Sequence, residues 1–231
     1  MKTNQRLSRR IIAVMVFGAA LLAGGKTMAS AQAAAVKIID VNDNAYGNTY
    51  GEWSARWWQW LLSIPDATNP NLDTTGANCT LQQSGPVFFL AGAFGGSFVR
   101  KCIVPAEKAL FFPISNVLAG AAVFDCDPTD PGVTCNLAVL RSAAATGQDP
   151  ATLKAVIDGK PVKDLNQQRV QSPVLTITYP DESVTGVPAG TYAPNVSDGF
   201  WLLLAPLSAG THTINFKNGD FLEVTYYLTV Q

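Results

Sequence analysis

One histidine, three methionines and four cysteines in 231 residues leave few places for the commonest catalytic and metal chemistries. Any imidazole mechanism must use His212, and a Ser-His-Asp device would need the fold to bring a serine and a carboxylate to it. No G-x-S-x-G elbow nominates that serine, and the glycines at 92–96 carry no phosphate-cradling pattern with a lysine. The cysteines Cys79, Cys102, Cys126 and Cys135 contain no C-x-x-C knuckle, which argues against a thiolate metal site. Charge is scarce too: Asp, Glu, Lys and Arg make up 14% of the chain, against about 25% in an average domain. An apolar share of 48% beside so little charge describes a chain that buries much of its surface.

The positive charge is concentrated at the start. Lys2, Arg6, Arg9 and Arg10 precede an uncharged apolar run, Ile11 to Gly25, and small residues around Ala29-Ser30-Ala31 and Ala31-Gln32-Ala33 follow. That order reads as a cleaved signal peptide over residues 1–33, with a single domain over 34–231. The run is shorter than the ~20 residues of a spanning helix, so no membrane span is expected after cleavage. Ser8-Arg9-Arg10-Ile11-Ile12 also resembles a twin-arginine signal, which leaves the export route open. Five of the 16 Lys and Arg leave with the leader; the remaining 11 against 17 Asp and Glu put the mature chain near −6. Such a surface gives no attraction to phosphate backbones, so nucleic acid is not an expected partner. A periplasmic or secreted location follows, and with it two disulfides from an even cysteine count. Three pairings are possible; Cys79–Cys102 and Cys126–Cys135 are favoured because each closes a local loop.

Four of the five tryptophans fall within Tyr50–Leu62, YGEWSARWWQWLL. Thr49 and Glu52 form a capping-box pattern at its start, and Pro65 stops it, so the stretch reads as a helix. Trp53, Trp57, Trp60 and Leu61 make one apolar stripe, which Trp58 and Leu62 extend. Glu52, Arg56 and Gln59 share the narrow polar strip, with Glu52 and Arg56 at ion-pair spacing. The helix therefore reads as a core element whose ligand face, if it has one, comprises Glu52, Arg56, Gln59 and Trp58.

Val36–Val41 reads as a first strand. Val87–Ala91, Val99–Val104 and Ala109–Ile114 are continuous apolar runs expected to be buried on both faces. Leu137–Ala145 reads as helix, Asp149-Pro150 as the start of a second short one, and Asp158-Gly159 as a hairpin turn. From Val174 onward the chain alternates in strand fashion; His212, Ile214 and Phe216 share one face, as do Leu222, Val224, Tyr226, Leu228 and Val230. Strands at this spacing predict a mainly β fold, a single antiparallel sandwich of jelly-roll type carrying the tryptophan helix and one or two short helices.

The tryptophan helix, Asn69-Pro70, Gln83-x-Gly85-Pro86-Val87, Phe111-Phe112-Pro113-Ile114 and the closing Gly-Thr-His-Thr-Ile-x-Phe together resemble a group of uncharacterised exported microbial proteins. The resemblance covers most of the mature chain. It implies export and one domain, and it brings no catalytic residues with it.

Two further sites have the right residue types. His212 could contact a ligand, or act with a serine and a carboxylate, though its strand face favours a buried, hydrogen-bonded ring. Asp125, Asp127 and Asp130 lie in a tight loop where carboxylates could collect around Ca²⁺, without the order of an EF-hand. Three functions stay open: an exported non-enzymatic protein binding a glycan or small amphipathic molecule, or with a role at the envelope or cell surface; a periplasmic hydrolase using His212 or a carboxylate pair; and a structural or assembly subunit.

Overall fold

The computed structural model describes residues 36–120 and 136–231. The leader and the loop carrying Asp125, Asp127, Asp130, Cys126 and Cys135 lie outside the described residues.

Helix α1 (Tyr50–Leu62) has the boundaries its capping residues predict. The Glu52 N–H donates to Thr49 Oγ1 at 3.3 Å, and the Thr49 N–H donates to Glu52 Oε2 at 2.8 Å. These bonds occupy two amide groups that a helix start leaves unpaired. They also hold the Glu52 carboxyl below its usual range, the Thr49 backbone bond contributing most. At the other end, Asn69 Nδ2 donates to the carbonyls of Leu61 at 2.8 Å and Ile64 at 2.9 Å, closing the helix from the following loop.

The strands form two five-stranded sheets. In the first, β1 (Val87–Phe89), β3 (Ala109–Gly120), β8 (Gly190–Leu204) and β6 (Arg169–Gln171) lie in that order, with β7 (Leu175–Tyr179) also paired to β8. The second runs β2 (Gly96–Val104), β10 (Leu222–Val230), β9 (Gly210–Asn218), β4 (Leu153–Ile157) and β5 (Lys160–Pro161). Most pairs are antiparallel, but β1–β3 and β2–β10 run parallel. The chain switches sheets from β1 to β2 to β3, and that crossover lets β1 and β3 lie side by side in one direction.

The long apolar strands separate two cores. On β8, Phe200, Leu202 and Leu204 face the second sheet and meet Ile214, Phe216, Val224 and Leu228. Trp201 and Leu203 face the opposite way and pack with Phe111 and Ile177 under α1. Burial on both faces explains why these strands read as continuous apolar runs. Helix α2 (Leu137–Ala145) covers the far ends of β3 and β8, where Leu140 and Ala144 meet Ala119 and Val196.

Three local expectations change. Val36–Val41 forms no regular strand; Ile39 N–H donates to Leu203 O at 2.8 Å and Ala205 N–H to Lys37 O at 2.9 Å, an extended segment beside the end of β8. Asp149 does cap Ala151, but only a 3₁₀ turn (Pro150–Thr152) follows, because Leu153, Ala155 and Ile157 alternate into the core as β4. Strand β2 is buried on one face alone: Arg100, Cys102 and Val104 point inward while Val99 and Ile103 remain 59% and 53% exposed. The Asp158-Gly159 turn joins β4 to β5 as expected, with positive φ at both residues.

Cys79 and Cys102 are disulfide-bonded, tying the loop after α1 to β2. Among the described residues no helix is long and apolar enough to cross a membrane.

Candidate functional site

Three of the four tryptophans on α1 complete their hydrogen bonding within the core. Their indole N–H groups donate to backbone carbonyls: Trp53 to Ala45 at 2.9 Å, Trp57 to Leu90 at 3.0 Å and Trp60 to Leu81 at 2.9 Å. Trp58 does not; its Nε1 is buried without a partner. Asn71 Oδ1 and Asn116 Nδ2 are buried in the same condition, and all three residues are among those that line a narrow cavity of about 160 Å³. A buried polar group without a partner costs about 1–3 kcal/mol, so the three residues around this cavity are a concentration of such costs in the fold.

Each of the three is positioned from a different element. Trp58 is set by α1, its ring edge-on to Trp57 with centroids 5.1 Å apart. Asn71 sits in the loop after the helix, 3% exposed, and its backbone is held from two sides. The Asn71 N–H donates to Asn69 Oδ1 at 3.0 Å, and Arg100 Nη2 donates to Asn71 O at 3.2 Å. The same guanidinium donates to the carbonyls of Asp73 at 2.7 Å, Gly92 at 2.7 Å and Ala91 at 3.0 Å, and to the Tyr226 hydroxyl at 2.9 Å. Asn116 follows an irregularity in β3 between Pro113 and Ser115, where the register to β8 shifts. Such bulges re-aim side chains, frequently beside functional sites. Opposite it lies Gly199, where an added Cβ would fall 2.7 Å from Asn116 Cβ, so glycine is required for Asn116 to cross β8 there.

The walls are apolar, contributed by Trp57, Pro113, Ile114 and Leu222, and no lining side chain is charged. Two phenylalanines stand at the cavity with much of their surface in solvent, Phe94 at 48% and Phe221 at 62%. The loops that carry them are joined: the Gly96 N–H donates to Phe221 O at 2.8 Å, and Gly95 lies against the Phe221 ring. A wider cleft of about 530 Å³ adjoins, sharing Asn116 and Phe221 as a common wall.

Of the residues expected to bind ligand, Trp58 lies in this cavity and the others do not. Arg56 and Gln59 line a separate depression of about 310 Å³ with Trp53 and Trp60. There the Arg56 guanidinium lies over the Trp53 ring at 5.5 Å, and Gln59 Nε2 donates to Thr176 O at 3.0 Å. Glu52 is occupied by Thr49 at the helix start rather than by Arg56. Asn71 and Asn116 carry no signal in the sequence, being asparagines in a loop and after a strand irregularity.

His212 is buried at the side of a depression of about 640 Å³ on the outer face of the second sheet. Its Nδ1 lies 2.7 Å from Asp158 Oδ2, and its Nε2 is 2.9 Å from Ser208 O and 3.4 Å from Ser208 Oγ. Both close partners, a carboxylate and a carbonyl, accept hydrogen bonds, so the ring makes both bonds only with a proton on each nitrogen. A serine-activating histidine needs Nε2 free to accept the hydroxyl proton. Asp158 Oδ1 also accepts from the Thr213 N–H at 2.8 Å, which makes the cluster a clasp between the β4–β5 turn and β9.

Val99, Ile103 and Tyr227 leave apolar surface on that outer face, among threonines 211, 213 and 229. The free edge of β2 is partly covered, since the Lys101 N–H donates to Thr75 O at 2.8 Å. Among the described residues no three His, Cys, Asp or Glu side chains gather as a metal site would require. Comparison with protein-family models, characterised proteins and solved structures finds no match to this chain.

Proposed function

We propose that this chain is an exported, non-enzymatic binding protein and that its ligand seats in the cavity between Trp58, Asn71 and Asn116. The observation that carries the reading is a narrow cavity with mostly apolar walls whose lining brings together three residues that each carry a buried polar atom without a partner. Apolar walls with a few convergent polar groups are the usual make-up of a small-molecule site. Export is supported by the basic, apolar and small-residue order of residues 1–33 and by the Cys79–Cys102 disulfide, which persists in oxidising compartments. A hydrolase centred on His212 has less support, because Nε2 faces the Ser208 carbonyl more closely than its hydroxyl.

The test is two-dimensional NMR of the indole N–H groups in the exported protein during titration with tert-butanol, acetamide and methyl α-D-glucopyranoside. The Trp58 signal is expected to move saturably with at least one probe while those of Trp53 and Trp60, which do not line the cavity, stay fixed. A Trp58 signal that no probe moves would overturn the reading.

A further inference from the structure

We infer that the outer face of the second sheet is a separate binding surface for a carboxylate-bearing oligosaccharide. The first argument is charge. Lys101 on β2, Glu223 on β10, Lys217 on β9 and Lys154 on β4 project from this face. Glu223 is already engaged, accepting from Asn215 Nδ2 at 3.1 Å and lying 3.6 Å from Lys217 Nζ. Lys217 stands directly opposite Lys154 across the β4–β9 pair, a like-charge arrangement that costs stability. Among the described residues neither Lys101 nor Lys154 is paired with a carboxylate. Asp73 and Asp158, in segments bordering the face, are spent on the N–H groups of Thr75 and Asn78 and on Thr213 and His212. The face is therefore net positive on a mature chain near −6, a local reversal that selects an anionic partner.

The second argument is what lies between the two unpaired lysines. The strand registers set Tyr227 beside Lys101 with Thr213 beyond it, and Thr225 and Asn215 in the next row toward Lys154. Tyr227 is 50% exposed, a flat apolar surface for the C–H face of a pyranose. The threonine hydroxyls donate and accept at once, as sugar hydroxyls do, so the two sets can pair in either sense. An acyl chain would leave those hydroxyls unmet, and an acidic peptide has no use for the aromatic floor.

The third is dimension and rigidity. Strand spacing and rise per residue put the Lys101 and Lys154 backbones about 20 Å apart on the diagonal, the span of about four linked pyranose rings. The Lys101 end is walled, lying in the depression of about 640 Å³ beside Gly76, Ala77 and Thr80. That wall is fixed to β2 by the Cys79–Cys102 disulfide, by the Lys101 N–H to Thr75 O bond and by Gly76, where an added Cβ would overlap the Lys101 carbonyl. A wall set before binding loses little freedom when a ligand arrives. The depression shares no lining residue with the Trp58 cavity, so the two surfaces can be tested apart.

Calorimetry on the exported protein in low salt tests this with 1,4-linked tetramers of galacturonate, mannuronate and glucuronate. Their methyl esters, a short polyglutamate and phosphatidylglycerol vesicles are the comparisons. At least one free-acid tetramer is expected to bind saturably, about tenfold tighter than its ester, and to weaken as salt screens the lysines. Lys101→Ala and Lys154→Ala should each weaken that binding about two- to fivefold, and Tyr227→Ala up to about tenfold, with the thermal midpoint checked in parallel. Both lysines are exposed, so their variants keep the test open even if Tyr227→Ala unfolds. Trp58→Phe should bind the tetramer as the unaltered protein does, which separates this surface from the cavity. Three results overturn the inference: no free-acid tetramer binds; polyglutamate or the vesicles bind as tightly as the best tetramer; or a tetramer binds but the folded Lys101 and Lys154 variants bind it unchanged.

Discussion

Trp57 and Trp58 are neighbours on one helix, yet they stand in opposite energetic positions. Trp57 is 1% exposed, packs against Trp201 with centroids 5.3 Å apart and donates to Leu90 O. Replacing it with Phe removes volume and also strands a buried carbonyl, a loss of about 2–4 kcal/mol. Trp58→Phe removes similar volume but discards an N–H that has no protein partner, so the cost should be smaller by about 1 kcal/mol or more. Urea denaturation of the two variants measures the difference; equal costs would mean that the Trp58 N–H is satisfied in solution. A helical projection cannot separate these residues, because both lie on the apolar side. What separates them is which distant carbonyl comes within reach, and Ala45, Leu90 and Leu81 are brought there by tertiary folding.

At the level of elements, sequence legibility followed the range of the interactions. The Thr49–Glu52 capping box, the Asp158-Gly159 turn and the alternation of β9 and β10 are decided by residues a few places apart, and each is found as read. The exposure of Val99 and Ile103 on β2, and the shift in β3 that turns Asn116 toward the cavity, depend on which sheet covers which face. The loop from Asn69 to Cys79, which carries Asn71, combines both kinds of information. Asp73 organises it, accepting from the Thr75 N–H at 2.8 Å and the Asn78 N–H at 2.7 Å. Burial pushes the Asp73 carboxyl up, but these bonds outweigh it and leave the group below its usual range. A carboxyl lowered by folding stabilises at pH above its unfolded value and stops doing so as pH falls through its folded value. Acidification below the ordinary Asp range should therefore loosen this loop and the Asn71 wall. Hydrogen exchange at Thr75 and Asn78 between pH 5 and pH 3 reads it; Asp73→Asn should flatten the pH dependence, and an unchanged profile would remove Asp73 from the account.

For the whole molecule, the Cys79–Cys102 disulfide links the loop beneath α1 to the second sheet. Closing a loop of 23 residues' separation restricts the unfolded chain, a stabilisation of about 2–4 kcal/mol. Cys79→Ala with Cys102→Ala should lower the thermal midpoint by several degrees, since each kcal/mol is worth about 2–4 °C in a domain of this size. Differential scanning calorimetry would record the shift, and a midpoint unchanged by the double substitution would mean that the bond adds nothing to the stability of the native state. The position of β10 has a temporal consequence as well. This strand lies between β9 and β2, pairing residues 222–230 with a segment more than a hundred positions earlier. Strand β2 therefore has no partner strand until residue 230 has left the ribosome, and Val99 to Val104 must wait unpaired through most of synthesis. Pairing across so long a separation is slow. In this protein the order of manufacture and the order of assembly of the second sheet run against each other.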